Sequence, residues 1–213
     1  MGNIESLRQH TLVALEYLGT AAFAVSGVLG AIRKRMDIVG ICVCGFLAAF
    51  GGGTLRDVLI DRRPFFWVAH QEVLLGILLL CVACATFFKQ HHLESSEKLL
   101  SIPDALGLGL FCTTGLHLSW TMGQPPAVAV MMGVVTGTFG GVLRDMACNE
   151  IPSLFRDHRP YAICALFGAG AYVLVASMAL PEWVAVAACT FVTTGTRLLT
   201  LWLDLKLPAV DFE

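Results

Sequence analysis

From Ala105 to Leu143 this chain runs 39 residues without a formal charge, broken only by the Pro125-Pro126 pair. Other charge-free stretches are 16 residues between Glu16 and Arg33, 18 between Asp37 and Arg56, 16 between Glu72 and Lys89, and 22 from Pro160 to Pro181. A last run, Trp183 to Trp202, contains only Arg197. A membrane-spanning helix needs about 20 mostly apolar residues. The pattern predicts seven spans, about 11–32, 38–57, 68–88, 99–120, 126–146, 160–180 and 183–203. Runs such as VLLGILLLCVAC (residues 73–84) do not alternate in polarity, which excludes a transmembrane β-barrel. Composition agrees: 56% of residues are hydrophobic, 14% are charged against roughly 25% in soluble domains, and mean hydropathy is +0.74. The net charge of −2 offers nothing to nucleic acid. The expected fold is therefore one all-α membrane domain, residues 1–213, with the lipid bilayer as solvent.

The basic residues set an orientation. Arg8, Arg56, Arg62 and Arg63 fall on the side of the N-terminus. Arg33, Lys34, Arg35, Lys89, Lys98, Arg144, Arg156, Arg159, Arg197 and Lys206 fall on the other. Ten against four predicts a multi-pass protein of the inner (plasma) membrane, with its N-terminus outside and its C-terminus in the cytoplasm.

The chain also repeats itself. At an offset of 88, without a gap from Leu18 to Pro64, eleven of 47 positions are identical. They include Leu18/Leu106, Phe23/Phe111 and Gly27/Gly115, and GGxLRD followed by six residues and Pro in both copies. Ser26 aligns with Thr114 and Glu16 with Asp104. Each copy holds three spans (about 11–88 and 99–180), and the seventh, about 183–203, stands outside. Three is odd, so the second copy enters the membrane in the opposite sense. Inverted repeats of this kind place a site near the bilayer midplane.

Glycines mark the second span of each copy: Gly51, Gly52 and Gly53, then Gly137, Gly140 and Gly141. Consecutive glycines weaken a helix, and the expectation is a kink or unwound turn whose freed carbonyls face a permeation path. The alternative is close helix packing. Arg56-Asp57 and Arg144-Asp145 follow at the span ends, either as charged gates or as salt bridges fixing those ends. Neighbouring residues on a helix diverge by about 100°, so pairing between adjacent Arg and Asp is the less natural expectation. Glu16, Phe23, Ser26 and Gly27 share one face of the first span, as Asp104, Phe111, Thr114 and Gly115 do in the fourth. The two acids are expected to complement helix N-termini. Ser26, Thr114, Thr136 and Thr138 either line a path or bond back to their own helices. His117 reads as a core histidine, the eight cysteines as small packing residues, and Trp67, Trp120, Trp183 and Trp202 as interfacial anchors. No nucleotide loop, metal-protease signature or nucleophile elbow occurs, so no catalytic residue, metal or cofactor is expected.

Taken together, the inverted three-plus-three repeat, the GGGTLRD and GGVLRD segments and the seventh span resemble the trimeric intracellular cation (TRIC) channels, and their prokaryotic members in particular, a group also known as glycine-transporter-domain proteins. The resemblance covers nearly the whole chain. It implies a homotrimer with a pore in each protomer, lined by spans 1, 2, 4 and 5, kinked at Gly51, Gly52, Gly53, Gly140 and Gly141, and permeable to potassium and less selectively to sodium. The chain lacks the long charged tail and the basic lipid-binding segment of the animal members. A secondary transporter of a small solute such as glycine is the alternative.

Overall fold

In the computed structural model, residues 2–87, 97–156, 160–178 and 180–206 are described, with the side chains of residues 1–10, 87, 97, 98 and 156 left aside. The described residues form helices α1 (Gly2–Arg33), α2 (Ile38–Leu59), α3 (Phe66–Ala69), α4 (Gln71–Phe87), α5 (Glu97–Thr121), α6 (Pro126–Ala147), α7 (Ser153–Arg156), α8 (Ala162–Ser177) and α9 (Glu182–Trp202). The fold is all-α. α1, α2, α5, α6 and α9 are long and apolar enough to cross a membrane. α4 and α8 are apolar but shorter, at 17 and 16 residues. They begin a few residues later than the expected spans at about 68 and 160. A separate turn of helix, α3, precedes α4, and Pro160-Tyr161 precedes α8.

α1, α2, α6 and α5 pack in that order as a four-helix ring. α4 lies outside α2 and α1, and α8 lies outside α6 and α5. The halves meet in a two-fold manner. A Cβ built on Gly52 would strike the carbonyl oxygen of Thr136, and one built on Gly140 would lie 2.5 Å from that of Ala48. Thr136 is the repeat equivalent of Ala48, and Gly140 that of Gly52. Moving from 48 to 52 along α2 moves the partner from 140 to 136 along α6, so these helices cross antiparallel. α1 and α5 obey the same rule: Phe23 lies on Gly107, and its equivalent Phe111 lies on Gly19.

α9 breaks this symmetry. It packs on α5 and α8 by laying Thr194 on Gly109 and Thr193 on Gly168. Small residues on both surfaces let the backbones approach, which is how helices associate where lipid is as apolar as the side chains. Trp183 and Trp202 stand exposed at its two ends, as interfacial anchors do.

Candidate functional site: two buried charge clusters on one axis

The glycine-rich segments do not unwind. α2 is helical throughout Gly51–Gly53, and α6 is helical throughout Gly137–Gly141. The expected broken turn, with its freed carbonyls, is absent from this structure. Contact supplies the reason. Gly52 and Gly140 are where α2 and α6 cross backbone to backbone, and Gly51 lies against Leu143. A Cβ on Gly137 would stand 2.9 Å from the Leu108 carbonyl oxygen of α5, and one on Gly141 would stand 2.8 Å from the Tyr161 hydroxyl. At Gly52, Gly137 and Gly140 the neighbour is backbone, which leaves no room for a methyl group, so these glycines provide proximity; at Gly51 and Gly141 the neighbour is the end of a side chain.

The Arg-Asp motifs end these helices at two buried clusters. In the first, Arg56 Nη2 lies 2.6 Å from Glu16 Oε1 of α1. Its Nε and Nη2 also donate to Asp57 Oδ1 at 2.9 and 2.7 Å. The second oxygen, Asp57 Oδ2, accepts the backbone N–H of Phe66, the first residue of α3, at 3.2 Å. Arg62 Nη1 reaches Glu16 Oε1 at 3.2 Å from the loop. The second cluster repeats the plan. Arg144 Nη1 lies 2.6 Å from Asp104 Oδ1, and Nε donates to Asp145 Oδ1 at 2.8 Å. Asp145 Oδ2 accepts from the backbone N–H and hydroxyl of Ser153, the first residue of α7, at 2.8 and 2.7 Å. Here Ser26 of α1 accepts from Arg144, and the Tyr161 hydroxyl donates to Asp104 Oδ1 at 3.3 Å.

Two expectations are thereby corrected. Adjacent Arg and Asp do pair, because the long guanidinium arm folds back across the 100° between their Cβ directions. Glu16 and Asp104 lie within α1 and α5 rather than at their starts, and they face guanidinium groups instead of helix N-termini. Arg56, Asp57, Glu16, Asp104 and Arg144 are all buried. An ionised group at membrane depth is costly unless paired, and here each guanidinium has two carboxylates.

The hydroxyls divide. Thr114, Thr136 and Thr138 donate to carbonyls of their own helices at 3.2, 2.6 and 2.8 Å. Ser26 joins the second cluster. Thr20 Oγ1, which the sequence did not single out, is buried without a hydrogen-bond partner. His117 is satisfied, with Nδ1 at 2.6 Å from the Tyr172 hydroxyl and Nε2 at 2.8 Å from Glu182 Oε1. Those partners lie on α8 and α9, too far along the chain for spacing to reveal. Arg62, Tyr161 and the first residues of α3 and α7 were missed likewise; they lie in connections that carry no periodic signal.

A cavity of about 430 Å³ opens beside the second cluster, lined among others by Gly30, Arg33, Lys34, Asp104, Arg144 and Arg197. At the first cluster only about 10 Å³ remains, among Glu16, Thr20, Gly53, Thr54, Arg56 and Phe111. Between the clusters lie Phe23 and Phe111, stacked with centroids 5.5 Å apart and planes at 17°.

A family profile described as "Glycine transporter" matches this chain twice, over residues 13–90 and 101–177, the same offset as the internal repeat. The UPF0126 inner membrane protein YadS of Escherichia coli is 34% identical over 199 residues, covering 93% of this chain and 96% of that protein. A UPF0126 membrane protein of Vibrio cholerae is 32% identical over 92% of this chain and 82% of its own length. Among solved structures, the TRIC trimeric intracellular cation channel orthologue of Rhodobacter sphaeroides superimposes with a TM-score of 0.84 at 36% identity, over 92% of this chain and 99% of that one. A second TRIC cation channel structure gives 0.82 at 30% identity, over 94% and 97%. These neighbours are channels and not enzymes, as the lack of a catalytic motif led one to expect. The family match, the shared length and the superposition of the whole helical assembly converge: this chain is a multi-pass inner-membrane protein of the UPF0126 group, a prokaryotic member of the TRIC family.

Proposed function

We propose that the protein is a passive channel for monovalent cations, permeable to potassium and less selectively to sodium. Each protomer of a homotrimer carries its own passage, lined by α1, α2, α5 and α6. The observation that carries this reading is the axial arrangement of the ring: a buried cluster at each end, each built on one buried guanidinium and two carboxylates, with Arg62 reaching the first from its loop. The likeness to structures named as TRIC cation channels supports the same conclusion. Since α2 and α6 are continuous, hydration lost by the ion would be replaced by side-chain oxygens, with Glu16, Asp104 and the unpartnered Thr20 hydroxyl the nearest candidates.

The family profile's description favours a second reading, a transporter of glycine. Such a site would hold the substrate carboxylate on half-helix N-termini, and the unbroken α2 and α6 provide none. One measurement separates the readings. Protein in liposomes should pass potassium under an imposed voltage and show single-channel steps in a planar bilayer. Accumulation of glycine against a gradient without potassium flux would make it a transporter.

A further inference from the structure

The two clusters are separated by an apolar layer at the centre of the ring, and every side of that layer is defined. Phe23 of α1 is fully buried and Phe111 of α5 nearly so. Each ring lies on a glycine of the opposite helix: a Cβ on Gly107 would stand 2.8 Å from Phe23, and one on Gly19 would stand 3.3 Å from Phe111. The rings also reach across the ring of helices. Phe23 comes within 3.5 Å of the Cβ position of Gly140 on α6, and Phe111 within 3.7 Å of that of Gly53 on α2. With Ala48 they form an apolar island separate from the two larger cores. Phe111 closes the small cavity that holds Glu16 and Arg56, whereas the large cavity begins beyond the pair, at Gly30, Asp104 and Arg144.

Resting on the channel reading above, we propose that the Phe23–Phe111 stack is the gate of the passage, shut in this structure. A constriction of apolar rings excludes water, and an ion cannot shed its hydration where no oxygen replaces it. The rings are held on four sides by helices, so neither can swing aside alone. Opening requires α1 and α5 to part at the Gly19–Phe111 and Gly107–Phe23 contacts. The two repeats would thus share one gate, placed where the two-fold axis crosses the ring.

The test uses the full-length protein in proteoliposomes, with potassium flux and the potassium/sodium reversal potential as readouts. Phe23→Ala and Phe111→Ala should each raise the flux about 2- to 10-fold, the weight a stacked aromatic pair adds to one state over another. The double variant should exceed both. Phe111→Trp should lower the flux, and the reversal potential should stay at the wild-type value throughout, because apolar rings do not select among cations. Loosened packing alone would not move flux in opposite directions for smaller and larger side chains. If an alanine variant does not elute as the intact assembly, Phe23→Leu and Phe111→Leu take its place, with a smaller increase expected. A conducting wild type whose alanine or leucine variants pass no more potassium would overturn the gate and leave the channel standing. Absence of flux above empty vesicles in wild type and all variants would overturn the channel reading and the gate with it.

Discussion

At the scale of single residues, the most consequential groups are the two buried arginines. Arg144 holds Asp104, Asp145 and Ser26 together from one guanidinium, linking α5, α6 and α1. Removing it leaves two carboxylates facing each other without a counter-charge. Arg144→Met should therefore destabilise the fold by about 3–5 kcal/mol, measured as unfolding in detergent. Adding Asp104→Leu should restore part of that loss, because the uncompensated charge goes with it. If the double variant is less stable than Arg144→Met alone, electrostatic compensation is not the reason for the cluster. Arg144→Lys should behave more like Arg144→Met than like wild type, since an ammonium cannot reproduce the fork that serves Asp104 and Asp145 at once.

At the scale of helices, the glycines divide by what stands opposite them. Gly52 and Gly140 meet backbone, which has no side chain to move aside. Gly52→Ala or Gly140→Ala should cost about 1–3 kcal/mol as α2 and α6 are pushed apart. Gly76, Gly170 and Gly195 have nothing within 4 Å of a Cβ, and alanine there should leave stability unchanged or raise it by up to about 1 kcal/mol. Thermal unfolding of the five variants checks the contrast, and equal losses at both sets would show that helix propensity rather than contact sets the cost. The sequence announced these glycines but not their role. A run of three does not say which of its members meets backbone, and here it is Gly52, while Gly53 has ordinary room for a Cβ; an unwound turn and a backbone crossing both fit such a run. Spans and repeat were legible, because hydrophobic length and an offset of 88 are local or self-referential signals. The Asp57–Phe66 and Asp145–Ser153 bonds were not, since α3 and α7 are single turns with no periodic pattern to announce them. Nor were the partners of His117, which tertiary packing alone supplies.

At the scale of the whole molecule, the structure sharpens the charge asymmetry that orients the chain. Arg56 and Arg144 are neutralised inside the helix ring, and Arg197 is buried over the Tyr161 ring with Nη1 bonded to the Pro160 carbonyl oxygen at 3.1 Å. None of the three acts as a loop charge. Setting them aside leaves Arg33, Lys34, Arg35, Lys89, Lys98, Arg156, Arg159 and Lys206 on one side of the sequence-derived topology, against Arg8, Arg62 and Arg63 on the other. The bias therefore survives the loss of its weakest contributors. Three of the remaining residues, Arg33, Lys34 and Lys206, border the large cavity at the Arg144 end. Since loops rich in Lys and Arg stay in the cytoplasm, that vestibule should open to the cytoplasm and the small Glu16–Arg56 cavity to the outside. A C-terminal fluorescent-protein fusion should fluoresce and a C-terminal alkaline-phosphatase fusion should be inactive. Replacing Arg33, Lys34 and Arg35 with Gln should produce a fraction of chains with the opposite pattern. An active phosphatase on the unaltered chain would invert the molecule, and the wide vestibule would then face outward.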